Sequence, residues 1–290
     1  MATAAPPAGA PAIRFDAVSK IFAGGTAAVQ DFSLTAPAGR ITVLVGLSGC
    51  GKTTLLRMVN RLVTPTSGRI LIGDRDISGV DPVALRRSIG YAMQNSGLLP
   101  HRRVIDNIAT VPMLLGRSRR RAREDAYELL VRVGLDESLA MRYPGRLSGG
   151  QAQRVGVARA LAADPDVLLM DEPFGAVDPI VRAELQADLV RLQADISKTI
   201  LFVTHDIGEA FALGDQIVLL ATGARIAQAG PAREFIAHPA SEYVSDFIGL
   251  GDGASSLSIS EINGARIVMD ANGRPVGRLD GQDGIPGGRP

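Results

Sequence analysis

Tryptophan is absent from this chain, and aromatic residues make up only 4% of it. A base-stacking platform for single strands is therefore not expected. There is one cysteine, Cys50. No internal disulfide can form, which fits a reducing cytoplasm. The net charge is only +1. No global pull towards nucleic acid or anionic lipid results, and no nucleic-acid partner is expected. No apolar run approaches the roughly 20 residues that cross a bilayer. If the protein works at a membrane, another chain must supply the spanning part. Met1–Pro11 is Ala/Pro-rich and lacks a basic start followed by an apolar stretch. It reads as a disordered tail rather than a signal peptide.

What remains is a globular composition. Of 290 residues, 46% are hydrophobic and 21% charged, enough to bury a substantial core. Short β-like pieces dominate from Ile13 to about Gly73: Ile13–Phe15, Phe32–Leu34, Ile41–Val45 and Arg69–Ile72. The run Ile41–Val45 is apolar and β-branched, as a strand buried on both faces would be. Leu55, Leu56, Val59 and Leu62 then recur at helical spacing. Residues 95–163 read as mainly helical, with Ala122, Ala126, Leu129, Leu130 and Val133 on one stripe and Gly134 as its stop. Strands return at Val167–Met170, Thr199–Thr204 and Gln216–Leu220, separated by helical stretches near 181–196 and 206–213. This alternation predicts an α/β fold with a mostly parallel, doubly wound sheet, interrupted by a helical lobe. Residues 251–290 are rich in Gly and Asp, with one β-like stretch at Ala265–Met269.

Four patterns carry chemistry. Gly46-Leu47-Ser48-Gly49-Cys50-Gly51-Lys52-Thr53-Thr54 matches G-x-x-x-x-G-K-[ST] in full, with a strand before it and a helix after it. Glycines let successive N–H groups curl around phosphate oxygens, and the following helix points its positive end at the same anion. Lys52 would reach the β- and γ-phosphates, and the Thr53 hydroxyl would ligate Mg²⁺. Cys50 reads as a small loop filler. Next, Val167–Met170 delivers Asp171 and Glu172 at the C-terminal edge of a strand, where α/β sheets place ligands. Adjacent residues point apart, so Asp171 can hold Mg²⁺ through water while Glu172 polarises an attacking water. The plain alternative is a strand followed by an acidic turn.

Third, Ser148 and Gln151 in Leu147-Ser148-Gly149-Gly150-Gln151 fit a capping box. Gly149 and Gly150 exceed what a cap requires and expose bare N–H groups at a positive helix end. One nucleotide needs one such cradle, so a second suggests a second subunit closing over the first. Fourth, His205 ends the apolar run Phe202-Val203-Thr204, as Asp171 ends its own. A lone histidine is more often packed or exposed than functional, but at this edge it suits a γ-phosphate contact. Gln94 follows the β-like Tyr91-Ala92-Met93, where a glutamine could ligate Mg²⁺ or position water. His101 and His238 have no partner pattern. The cluster Arg117, Arg119, Arg120, Arg121 and Arg123 reads as a solvated helix start.

The ordered set of Gly46–Thr53, Gln94, Leu147–Gln151, Val167–Glu172, Gly175-Ala176-Val177-Asp178 and His205 resembles the ATP-binding subunits of ABC transporters, over about residues 12–250. The resemblance implies a P-loop NTPase of ABC type, with a mostly parallel core sheet, an N-terminal antiparallel β subdomain and an inserted helical subdomain at about 95–163. It implies a head-to-tail homodimer with ATP between the phosphate loop of one copy and Ser148–Gln151 of the other. Glu172 becomes the catalytic base, His205 the γ-phosphate contact, and Gln94 the link to membrane permease subunits. Asp178 matches the loop at the dimer seam, although Val177 stands where leucine is commoner. Asp178-Pro179 also suits a helix start. Phe22 matches the aromatic that stacks on adenine, though the Ala23-Gly24-Gly25 loop can shift that register.

Tyr91–Leu115, Arg154–Pro179 and Thr199–Ala210 are similar to one branch, the importers of osmoprotectants such as glycine betaine, proline, choline or carnitine. Solute would then arrive through a binding protein, with this chain on the cytoplasmic face of the membrane. Members often carry paired CBS domains after the ATPase. Val268–Gly277 looks like a single strand-turn-strand fragment of one, so residues 251–290 are expected to be a short extension. Other readings are an importer ATPase for another small solute, a soluble ABC-type ATPase acting in translation or DNA repair, and a P-loop kinase or GTPase. A single cassette without a basic stripe argues against the soluble ATPase, and the second phosphate cradle argues against the kinase or GTPase.

Overall fold

In a computed structural model, residues 10–94, 96–175, 177–250, 258–262, 265–269 and 274–279 are described. Most of the expected N-terminal tail, Asn95, Ala176, and much of the 251–290 extension lie outside them. The chain divides into two compact units, Met1–Ala232 and Arg233–Pro290.

The first unit opens with β1 (Ile13–Ile21), β2 (Ala27–Ala36), β3 (Ile41–Gly46), α1 (Lys52–Val59), β4 (Ser67–Ile72) and β5 (Arg75–Asp76). It continues with α2 (Pro82–Ser88), β6 (Ile89–Ala92), α3 (Val104–Ile108), α4 (Thr110–Leu114), α5 (Arg119–Arg132) and α6 (Gly149–Leu161). It closes with β7 (Val167–Asp171), α7 (Pro179–Ile196), β8 (Thr199–Thr204), α8 (Ile207–Leu213), β9 (Gln216–Ala221) and β10 (Arg225–Gly230).

One sheet is antiparallel, in the order β2-β1-β4-β5; the other is the core, in the order β10-β9-β3-β8-β7-β6. Strands β9, β3, β8, β7 and β6 run parallel, so their C-terminal ends share one edge. Every residue of β3, β7 and β8 is buried. That is why these strands read as unbroken apolar runs rather than alternating ones. Phe15 and Phe32 meet edge to face at 5.2 Å, within the core that α1 and β3 share with the antiparallel sheet.

Two details differ from the periodicity. Helix α1 ends at Val59, because Asn60 caps it and Arg61 turns left-handed (φ 54). Leu62 therefore leaves the buried stripe and stands exposed. The core sheet also gains β10, antiparallel to β9. As an edge strand it needs no two-sided burial, so Arg225–Gly230 carries no apolar run.

The second unit contains α9 (Ala232–Ala237) from its second residue on, α10 (Glu242–Phe247), and a sheet of β11 (Ser258–Ile262), β12 (Ala265–Met269) and β13 (Pro275–Leu279). The three strands are antiparallel, with Ile259 opposite Val268 and Val268 opposite Gly277. The expected turn between Val268 and Gly277 falls largely on residues outside those described.

Candidate functional site

Strand β3 delivers its chain into the glycine loop. A Cβ at Gly46 would sit 2.4 Å from the Leu220 carbonyl oxygen, so only glycine lets β3 end beside β9. Gly51 is left-handed (φ 113), and a Cβ there would meet the Ala28 carbonyl at 2.5 Å. Gly49 (φ 79) has open space around it. Gly51 caps α1 without a side-chain hydrogen bond, and the first turn holds no acidic residue. No side chain of its own cap or first turn thus neutralises the positive end of α1. Lys52 is buried, and its Nζ donates to the carbonyls of Gly46 at 2.7 Å and Leu47 at 2.9 Å. Cys50 is buried beneath the loop, Ser48 is exposed, and Thr54 is half-buried on the first turn of α1.

Two strand ends meet this loop. Asp171 ends β7 and is buried. Its Oδ1 accepts from Thr53 Oγ1 at 2.9 Å; its Oδ2 accepts from Tyr91 OH at 3.2 Å and lies 3.5 Å from Arg57 Nη2. Burial first, and the Asp171 carboxylate second, hold the Tyr91 phenol above its ordinary pKa, so it stays a donor. The hydrogen bond with Tyr91 in turn raises Arg57.

Glu172 points elsewhere because its backbone is left-handed (φ 44), a conformation rare outside glycine, asparagine and aspartate. Its Oε2 accepts from Gln94 Nε2 at 3.3 Å and lies 3.1 Å from His205 Nδ1. Gly175 backs this junction: a Cβ there would come within 3.7 Å of both Gln94 Nε2 and Glu172 Oε2. Gln94, Glu172 and His205 follow the ends of the neighbouring strands β6, β7 and β8.

Ser148 and Gln151 form the capping box at the start of α6 in both directions: Ser148 N donates to Gln151 Oε1 at 3.0 Å, and Gln151 N to Ser148 Oγ at 3.2 Å. The two glycines separate in role. Gly149 is exposed, whereas Gly150 is buried, and a Cβ on it would come within 2.7 Å of Val181 Cγ1 on α7. Asp178 caps α7, its Oδ1 accepting from Ile180 N at 3.0 Å and Val181 N at 3.1 Å. Phe22 lies in the β1–β2 hairpin, half exposed, with Lys20 Nζ 5.1 Å from its ring centre.

Direct bonds therefore join Thr53 to Asp171 and Glu172 to both Gln94 and His205. The bonds of Ser148, Gln151 and Asp178 stay within their own caps. Sequence reasoning missed Tyr91 and Arg57. The signal available was a tyrosine in the β-like stretch leading to Gln94, in a chain with four tyrosines.

The ABC transporter family model matches residues 29–175. The carnitine transport ATP-binding protein of Listeria monocytogenes is 49% identical over 237 residues, 82% of this chain and 59% of that protein. The glycine betaine uptake system ATP-binding protein of Escherichia coli (strain K12) is 47% identical over 251 residues, 86% of this chain and 81% of that one. This chain thus spans about three fifths of the length of the first of these relatives. Among solved structures, a bacterial ABC transporter cassette in dimeric form superposes with a TM-score of 0.69 at 31% identity, covering 76% of this chain and 98% of that one.

Proposed function

This chain belongs to the ABC transporter family, and from that premise we propose that it is the ATP-hydrolysing, energy-coupling subunit of an importer for osmoprotectants of the glycine betaine, choline or carnitine type. The observation that carries the reading is the Glu172 carboxylate held between Gln94 and His205, beside the Thr53–Asp171 pair at the glycine loop. The names of the relatives support the solute class.

In this reading Lys52 and the N–H groups of Gly46–Thr54 bind the β- and γ-phosphates of ATP. Glu172 takes a proton from the attacking water, whose oxygen bonds to the γ-phosphorus as the bond to ADP breaks. His205 contacts the γ-phosphate and keeps Glu172 aimed, while Gln94 carries the state of the site towards the permease subunits. The Thr53 hydroxyl and the Asp171 carboxylate are hard oxygen donors 2.9 Å apart, which fits Mg²⁺. They would hold it, Asp171 through water, with Gln94 as a further ligand, and it would supply positive charge against the transferred phosphoryl group. Phe22 stacks on adenine.

Ser148–Gln151 and Asp178 serve the nucleotide of a second copy in a head-to-tail homodimer; the dimeric form of the similar cassette supports this. Residues 12–250 make up the ATPase, with its helical part at about 95–163 and a short extension at 251–290. Among the described residues no helix is long and apolar enough to cross a membrane. We place the membrane-spanning part in separate permease chains, fed by a solute-binding protein, with this subunit peripheral on the cytoplasmic face.

Glu172→Gln tests the chemistry. ATP binding should persist while turnover falls about 10²- to 10⁴-fold, and ATP should trap a dimer visible by light scattering. Normal hydrolysis by that variant would overturn the assignment. Uptake of labelled glycine betaine, choline and carnitine by cells producing the chain with its permease tests the solute class. Transport of an unrelated solute alone would sink it.

A further inference from the structure

Arg159, in the last turn of α6, is a cation that the site described above does not use. Burial pulls its guanidinium below the ordinary arginine pKa. A desolvated arginine is costly unless its donors find good acceptors. Its partners are backbone carbonyls: Nη1 donates to Gly97 O at 2.6 Å and Nη2 to Ser96 O at 2.7 Å.

Both carbonyls belong to the turn that follows Gln94. That turn is tight. Ser96 N donates to Met93 O at 3.0 Å. Ser96 (φ 49) and Gly97 (φ 57) are both left-handed, and a Cβ at Gly97 would come within 1.9 Å of Met93 Cε. A serine in this region persists only where its surroundings hold it. Helix α6 supplies that hold twice. Besides Arg159, Gly156 lies flat against the turn, where an added Cβ would come within 3.4 Å of Ser96 O. The far end of the segment has a separate anchor. Asn107, fully buried on α3, accepts from Leu99 N at 2.7 Å and donates to the carbonyls of Leu99, Arg102 and Arg103.

Helix α6 thus begins at the Ser148–Gln151 cap and grips the Gln94 turn about 16 Å further along its axis. We infer that Arg159 is a positioning residue for Gln94: it locks the Ser96–Gly97 turn to α6, so that Gln94 keeps its contact with Glu172 and a displacement of α6 is carried to that contact. This rests on the role proposed for Gln94.

The test uses the full chain with Arg159→Met, which removes the donors, and Arg159→Lys, which keeps a charge and one donor group. Hydrogen exchange read by mass spectrometry over Met93–Leu98 should quicken about 10- to 100-fold in Arg159→Met. It should recover in part in Arg159→Lys, while peptides from α1 and β7 stay as in the wild type. Turnover should fall about tenfold with KM little changed, and the fall should vanish when Gln94 is already alanine. Unchanged exchange over Met93–Leu98 would overturn the inference, as would an equal fall in both backgrounds. Should Arg159→Met fail to fold, Arg159→Lys against wild type gives the same reading, with a smaller rise in exchange. A wild-type chain that does not hydrolyse ATP would sink the proposed function instead, and the exchange measurement would still decide whether Arg159 holds the turn.

Discussion

Replacing Gly150 by alanine separates two demands made at the start of α6, packing and anion binding. The added methyl would lie 2.7 Å from Val181 Cγ1, against the roughly 3.5–4.0 Å of ordinary carbon contact. Val181 has little room to yield. It is β-branched, with one strongly preferred rotamer in a helix, and its own N–H is fixed by the Asp178 cap at 3.1 Å. Overpacking of this kind costs about 1–3 kcal/mol. Alanine regains about 0.5–1 kcal/mol over glycine by losing less backbone entropy. Taking the middle of each range, the net is a destabilisation of about 1 kcal/mol, and each kcal/mol lowers Tm by about 2–4 °C in a unit of this size. Scanning calorimetry should show that fall for Gly150→Ala. In a Val181→Ala background the same substitution should cost nothing or stabilise, a coupling of about 1 kcal/mol or more. If Gly150→Ala leaves Tm unchanged, or costs as much without the valine side chain, the packing argument is wrong. Both glycines would then answer to the anion alone.

Three further outcomes are expected. Ser148→Arg should leave nucleotide binding by a single chain intact yet stop turnover; loss of binding itself would mean that Ser148 does not act across a dimer. Tyr91→Phe removes a donor from Asp171 and should raise the Mg²⁺ concentration for half-maximal hydrolysis about tenfold or more, with Mg²⁺-free nucleotide binding unchanged. An unaltered Mg²⁺ titration would sink the role of the phenol. Asp106 pairs bidentately with Arg123 at 2.8 Å, which holds its carboxyl below the usual range. A depressed native pKa contributes stability that is complete above the unfolded value of about 3.9 and is lost as pH falls through the lower native one. Asp106→Asn should therefore lower Tm at pH 7, and the gap to wild type should close as the pH is taken below about 4. A gap independent of pH would refute the pairing.

How far the sequence could be read depended on how far each residue's partners lie along the chain. The glycine loop is marked within one short segment: β3 stops at Gly46, α1 starts at Lys52, and the spacing of glycines, lysine and threonine between and after them identifies it. Likewise Thr199–Thr204 was legible to the residue, because a strand buried on both faces reads as one β-branched and apolar run as long as the strand itself. Periodicity failed where the backbone broke locally. The stripe that seems to continue to Leu62 cannot register a left-handed Arg61. The site divides the same way. Gln94, Glu172 and His205 could each be found as a polar residue at the end of an apolar run. That Glu172 meets both of the others follows from the adjacency of β6, β7 and β8, and strand order is not written in any one segment. Tyr91 lies 80 residues from Asp171, and Arg159 lies 62 from Gly97. No local pattern marks either, since a tyrosine in a strand or an arginine late in a helix is ordinary until its partner is known. Gly150 shows why a local explanation that suffices can still be incomplete. A cap and a phosphate cradle each account for a glycine after Ser148, but the contact that penalises a larger residue at the second position comes from Val181, on a different helix. Groups that do chemistry are thus visible from where strands end, while the groups that hold them become visible only once the strands and helices are set side by side.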